Sequence, residues 1–302
     1  MKFNIVHQTR FEYQEPAYDS HNELRMRPLD GPGQRCASFA LEIDQPASVL
    51  EYRDFFGNLG HSVSVSGAHQ SLTFITRSTV DSAPIAAETF EETFGEFLRS
   101  DHLRRHSHCE YLEPSVYTPF SPRLQKFFWM VHPSVSDDVA AYVARIVNYV
   151  RDQFEYESKL TNVHSNLDDI LKSGGGVCQD FAHLTIGLLR LAGVPARYVS
   201  GYLAPNSSGQ SRVTVNHQAS HAWFEAWLPG TGWTGFDPTH SCRTDERYVR
   251  IAIGRDYGDV TPLRGVFRSG GFSQVMTVDL QVEPAPTSAA SESPSWRLQN
   301  QQ

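Results

Sequence analysis

The chain is 302 residues long, enough for about two domains, and its 40% hydrophobic and 20% charged residues are the balance of a soluble globular protein. A net charge of −8, with no concentrated Lys/Arg tract, argues against a general affinity for nucleic acid or anionic membrane. The N-terminus reaches Arg10 and Glu12 without an apolar stretch, and no 18 apolar residues run together, so neither signal peptide nor membrane span is expected and the cytoplasm is the default location.

Taken in order, residues 1–83 read as short alternating strands over 3–7, 11–13, 39–43, 61–65 and 72–76, separated by the turn chemistry of Asp30-Gly31-Pro32-Gly33 and Gly57-Asn58. Strands at this spacing predict a small β-sandwich without catalytic residues. Residues 84–133, with prolines at 114, 119, 122 and 133, read as a connecting helical region. A core domain is expected over 134–283. It opens with a helix over 137–153 that presents Val139, Val143, Ile146, Val147 and Val150 on one face, with Ser136 as its expected N-cap. Asn166 is expected to cap a shorter helix over 167–172, stopped by Gly174-Gly175-Gly176.

From Cys178 the apolar positions Phe181, Leu184, Leu188, Leu191 and Ala192 share one helical face until Gly193 and Pro195 end the helix. Strands are expected over 196–203, 212–215, 220–228, 233–237, 248–253 and 273–282, with Pro229-Gly230-Thr231-Gly232 as a turn. The Ser, Ala, Pro and Gln-rich tail over 284–302 reads as disordered.

Four cysteines (Cys36, Cys109, Cys178 and Cys242) stand far apart without a C-x-x-C pair, which suits four free thiols better than a disulfide frame or zinc ribbon. Cys178 differs from the others in following three glycines and opening a helix, where unpaired N–H groups and the helix dipole favour a thiolate. Its base would be His221, which strand alternation places on one face with Trp223, Glu225 and Trp227. Asp237, just before Pro238, would orient that base by accepting from Nδ1, leaving Nε2 for the thiol. With Leu228 facing Trp233, Asp237 falls opposite Phe224, three residues short of His221, so a bulge or an offset register is required.

These residues resemble the transglutaminase-like superfamily. Gly176-Val177-Cys178-Gln179-Asp180-Phe181-Ala182 is similar to its nucleophile motif, Ser220-His221-Ala222-Trp223-Phe224-Glu225 to its histidine strand, and Gly232-Trp233-Thr234-Gly235-Phe236-Asp237-Pro238-Thr239 to its aspartate strand. The resemblance covers roughly 135–255, and Asp54-Phe55-Phe56-Gly57-Asn58 resembles the N-terminal domain of bacterial members. It implies an α+β papain-like core, with the Cys178 helix packed on an antiparallel sheet, and a Cys178, His221, Asp237 triad that forms an S-acyl intermediate. Peptide or isopeptide hydrolysis is the expected reaction, with glutamine amine transfer or a non-catalytic binding scaffold as alternatives. The partner is expected to be a peptide or protein amide substrate, without cofactor, metal, nucleic acid or membrane.

Other residues carry weaker readings. Tyr156 is a weak candidate for a second oxyanion donor beside the Cys178 N–H, and Gln179 should point away from the thiol. His102, His106, His108 and Cys109 could form a soft metal set, but a solvated helix end is preferred. Arg104-Arg105 reads as a solvated face, Cys242 and Asp180 as structural, and Glu225 as paired to a nearby donor.

Overall fold

The computed structural model describes residues 1–85, 91–100, 107–205, 220–269 and 273–285. The expected strand over 212–215, His102, His106, Arg104, Arg105 and nearly all of the tail lie outside these residues. The chain forms two antiparallel sheets, with helices gathered on the second.

The first sheet is built around β1 (Lys2–Leu24), which joins both of the short strands expected at its start. Along its first turns the side chains alternate between exposed and buried, Phe3 and Ile5 pointing inward, as a half-buried strand requires. Its pairing register shifts between Glu12 and Ala17 and again between Tyr18 and His21. Pro16 lies within the first break and has no N–H to offer the ladder, and Asp19 takes a positive φ of 46° within the second. The strand therefore bends. Its first half pairs with β5 (His69–Ser82), and its second half with β4 (Leu59–Val65). β2 (Gln34–Ile43) and β3 (Ser48–Arg53) flank these.

The expected β-sandwich is thus one seven-stranded half-barrel wrapped around Tyr13, Leu24, Met26, Val63, Leu72 and Phe74. Its remaining strands come from the far end of the chain. Of the last two strands, the one over 263–269 was not anticipated and the one expected over 273–282 was assigned to the core domain; both pair with β1. Alternation reports which face a strand buries, not which strand it joins.

The second sheet follows a helical stretch made of α1 (Phe94–Arg99), α2 (Pro122–Val131) and α3 (Val139–Gln153). α3 begins two residues later than expected. Asp138, not Ser136, is its cap and accepts from Ala141 N–H at 2.8 Å, while Asp137 is drawn to Arg145 at 3.0 Å. The short β6 (Glu155–Tyr156) precedes α4 (Leu167–Ser173), whose cap is Asn166 as expected. β7 (Gly175–Gly176) leads into α5 (Cys178–Leu191).

β8 (Ala196–Leu203), β9 (His221–Leu228), β10 (Gly232–Asp237), β11 (Cys242–Arg243) and β12 (Tyr248–Gly254) then form a five-stranded sheet in the order β11-β10-β9-β8-β12. α5 packs across it, and Phe181, Leu184 and Leu188 join Ala222, Phe224 and Ala226 in the largest core. A short α6 (Tyr257–Val260) leads back to the half-barrel through β13 (Leu263–Ser269) and β14 (Gln274–Pro284).

The two sheets meet in a shared apolar cluster, with Phe3, Ile5, Val80 and Leu280 on one side and Tyr202, Ala204, Val249 and Ile251 on the other. Buried Asn58 bonds both the carbonyl and the N–H of Ile253, and Gln34 does the same for Arg250. Among the described residues, no helix is long and apolar enough to cross a membrane.

Candidate active site

The glycines before Cys178 each answer a different steric demand. Gly174 ends α4 with φ at 76°, the left-handed conformation that favours glycine. A Cβ on Gly175 would lie 2.4 Å from the Glu155 carbonyl oxygen, and one on Gly176 would lie 2.5 Å from Asp180 Oδ2. The close approach that glycine permits is therefore taken by β6, which pairs in parallel with β7, and by Asp180. Asp180 is buried. Its Oδ2 accepts from Val177 N–H at 2.9 Å and Thr161 Oγ1 at 2.6 Å, so it holds the entry to α5. Burial pushes its pKa up.

Cys178 follows as the first residue of α5, only 8% exposed, on the face that the helical spacing predicts to be inward. Its N–H and that of Gln179 belong to the first turn and have no acceptor within the helix. The Gln179 amide is directed to the Val163 carbonyl at 3.3 Å.

His221 opens β9, and Asp237 closes β10. The hairpin pairs Leu228 with Gly232 and Phe224 with Phe236, one residue away from the expected register. Three turn residues, with Gly230 and Gly232 both at positive φ, set this shift. Asp237 then falls beside Trp223, two residues from His221 and on the same face, a diagonal that side chains can span. Asp237 Oδ2 accepts from His221 Nε2 at 2.7 Å without any bulge. The ring is therefore turned opposite to the expected orientation: Nε2 meets the carboxylate, and Nδ1 is the nitrogen left for the thiol.

Asp237 is completely buried, and burial alone would raise its pKa. Hydrogen bonds from His221 and His240 outweigh that and hold it well below the usual carboxylate range. Oδ2 also accepts from His240 Nδ1 at 2.7 Å and Tyr248 Oη at 2.9 Å, while Oδ1 accepts from Thr239 N–H at 2.8 Å. Burial and the Asp237 charge push the Tyr248 hydroxyl far above its ordinary range, so it remains a donor. For His221, burial opposes the charged ring, but the Asp237 hydrogen bond and the interaction with Cys178 prevail and raise its pKa to about 10. Cys178 and Asp237 thus act on one imidazole together.

His240 and Tyr248 were not anticipated. His240 follows Asp237 by three residues in Asp237-Pro238-Thr239-His240, a turn spacing that could have signalled it. Tyr248 arrives from another strand and left no local signal. Tyr156 pairs with Gly176 at the approach to Cys178 and lies edge-on to Phe181, 40% exposed.

Glu225 is bound by Arg197 at 2.5 Å and Arg250 at 3.5 Å, the paired state expected of it. Trp223 packs with Val199 and Tyr248 on the sheet face turned away from α5, and His108 lies against Trp227 and Trp233. Cys242 is half-buried with its pKa raised by burial, and Cys109 is exposed; all four cysteines are free.

Comparison with known proteins agrees with this architecture. Residues 132–238 match the transglutaminase-like superfamily core, and residues 3–81 match the bacterial transglutaminase-like N-terminal region. An uncharacterised protein of Mycobacterium leprae is 32% identical over 277 residues, covering 92% of this chain and 97% of its own. One from Mycobacterium tuberculosis is 32% identical over 302 residues, covering 94% and 93%. The fold matches a solved structure of a Cytophaga hutchinsonii protein, described as a candidate cysteine protease, with a TM-score of 0.70 at 22% identity, over 94% of this chain and 98% of that one. The chain belongs to the transglutaminase-like superfamily and carries its bacterial N-terminal region.

Proposed function

We propose that the chain is a thiol acyl-transfer enzyme in which Cys178 is the nucleophile, His221 its base and Asp237 the group that orients the base. The observation that carries this reading is the 2.7 Å bond from His221 Nε2 to buried Asp237, with Cys178 acting on the same ring. Cys178 gives its proton to His221 Nδ1 before the attack, and its sulfur then adds to an amide carbonyl as a thiolate. The oxyanion meets the unpaired Cys178 N–H at the start of α5. With a pKa near 10, His221 keeps that proton at neutral pH until it gives it to the leaving amine. An S-acyl enzyme remains, and water resolves it in a hydrolase acting on peptide or isopeptide amides.

A second reading, amine transfer to glutamine, is favoured by a Pseudomonas aeruginosa relative named protein-glutamine gamma-glutamyltransferase. It is 32% identical over 104 residues, 33% of this chain and 16% of that protein. Hydrolysis remains the preferred outcome because water is always present. A non-catalytic scaffold would have no need of a buried, hydrogen-bonded carboxylate beneath the histidine.

The test is a glutamine-containing peptide incubated with a fluorescent primary amine, both products being read by mass. Acyl-enzyme and hydrolysed peptide are expected from the unaltered chain and neither from Cys178→Ala. Amine incorporation exceeding hydrolysis would select the second reading. Iodoacetamide labelling of Cys178 no faster than that of Cys242 at every pH would overturn both.

A further inference from the structure

We propose that His221, Asp237 and His240 together form a binding site for a borderline divalent transition-metal ion of the Zn²⁺ class. One ligand atom from each of these residues lies within 4.8 Å of the other two. Two imidazoles and one carboxylate are the donors that Zn²⁺ accepts, whereas Ca²⁺ and Mg²⁺ seek oxygen alone.

Two further features distinguish this cluster from a chance meeting of side chains. First, Oδ2 of Asp237 faces three donors at once, His221 Nε2, His240 Nδ1 and Tyr248 Oη, all within 2.9 Å. One oxygen offers two lone pairs, so this acceptor is oversubscribed. An ion replacing the two ring N–H protons turns both nitrogens into donors toward the metal and relieves the crowding. Second, the groups that would orient the ligands are already in place. Oδ1 is held by the Thr239 N–H at 2.8 Å, and Tyr248 fixes Oδ2 from beneath, the outer support that metal-bound carboxylates need. The His240 side chain is 51% exposed and gives the ion its way in, while Asp237 is closed to solvent.

Metal–ligand bonds of about 2.0–2.2 Å in a tetrahedral site set the ligand atoms roughly 3.3–3.6 Å apart, so Asp237 Oδ2 and the two ring nitrogens, each 2.7 Å from it, would have to spread to admit the ion. His240, on an exposed turn, is the ligand free to move.

The consequence for the centre rests on the reading under Proposed function. A neutral imidazole bound to metal through Nε2 carries its one proton on Nδ1. That is the nitrogen that would take the proton from Cys178, so an occupied site leaves the thiol without its base. Binding releases one proton to solvent for each imidazolium converted to a ligand, and His240 moves its remaining proton to Nε2.

The binding test uses the full-length Cys178→Ala chain, so that the thiol cannot be a ligand and no catalytic activity is required. Titration with Zn²⁺ followed by calorimetry, and with Co²⁺ followed by its visible absorption, is expected to show one ion per chain. Excess Mg²⁺ should not displace it. Adding His240→Ala should weaken binding at least tenfold, and His240→Gln should do the same with a side chain of similar bulk; circular dichroism confirms that both fold. No stoichiometric binding by Cys178→Ala, or unchanged affinity after either His240 substitution, overturns the site. In the chain with its thiol intact, Zn²⁺ should slow peptide turnover, and His240→Ala should require at least tenfold more Zn²⁺ for the same inhibition. Equal inhibition of both chains overturns the link to the base while leaving the binding result to stand by itself.

Discussion

Where the half-barrel meets the second sheet, His7 is 3% exposed and its pKa is lowered to about 4. At the rim of the second sheet, His221 is also largely withdrawn from water, yet its pKa is raised to about 10. Burial opposes the charge on both rings. What differs is the partner. The nearest polar neighbour of His7 Nδ1 is the neutral Tyr202 hydroxyl at 2.6 Å, and the pull of Asp279 does not make up for lost hydration. His221 has an ionised carboxylate in direct contact.

His183, five residues beyond Cys178 on α5, sides with His7. It is fully buried, accepts from Tyr257 N–H at 3.1 Å and is lowered to about 3. Burial keeps His7 and His183 neutral, and the hydrogen-bonded carboxylate of Asp237 reverses that balance for His221.

The strongest way to break the contrast is Asp237→Asn, which keeps the shape and removes the charge. By analogy with other triads, kcat/KM should fall roughly 10³–10⁴-fold. The alkylation rate of Cys178 should also lose its dependence on a group titrating near pH 10. A loss below tenfold would mean that Asp237 is not what orients His221.

A smaller effect sharpens the same contrast through stability. The folded-state pKa values of His7 and His183 lie below the reference of 6.5, so the unfolded chain binds more protons between those limits. Their contribution is complete above pH 6.5 and is lost as pH falls toward 4 and 3. For His7 the loss is at most about 3–4 kcal/mol at roughly 1.4 kcal/mol per pH unit. His221 has the opposite sign: its contribution is complete below pH 6.5 and is lost as pH rises through about 10. Urea midpoints should therefore peak near pH 6.5. His7→Gln should flatten the acid limb between pH 4.5 and 6.5, and Asp237→Asn the alkaline limb; a limb that keeps its slope after its substitution contradicts the assignment.

Much of this site was legible because its signals are local. The spacing of Phe181, Leu184 and Leu188 places Cys178 inward, Asn166 marks a cap, and the glycine run marks a tight entry. What escaped depends on distant geometry. The hairpin register turned on whether three or four residues form the turn, and one residue decided whether Asp237 reached His221 directly. Ring orientation followed from that register. Tyr248 is eleven residues past Asp237 and enters through a separate strand. β13 was not anticipated as a strand, β14 was, and nothing in either announces β1, some 240–280 residues upstream, as its partner.

The smallest predicted effect compares two tyrosines that donate or accept at the two histidine environments. Tyr202→Phe removes the hydroxyl beside His7 Nδ1 and leaves a buried ring nitrogen unpaired, which should cost about 1–3 kcal/mol of stability. Because the Tyr202 side chain packs in the cluster between the sheets, kcat/KM should stay within twofold of the unaltered chain. Tyr248→Phe removes one of three donors on Asp237 Oδ2. That oxygen keeps His221 and His240, so the stability loss should be smaller, while kcat/KM should fall several-fold as Asp237 loses part of its anchoring. Paired thermal unfolding and steady-state rates separate the cases. If Tyr202→Phe slowed turnover as much as Tyr248→Phe, the contact between the sheets would be transmitted to the acyl-transfer centre, and the two histidine environments would not be independent.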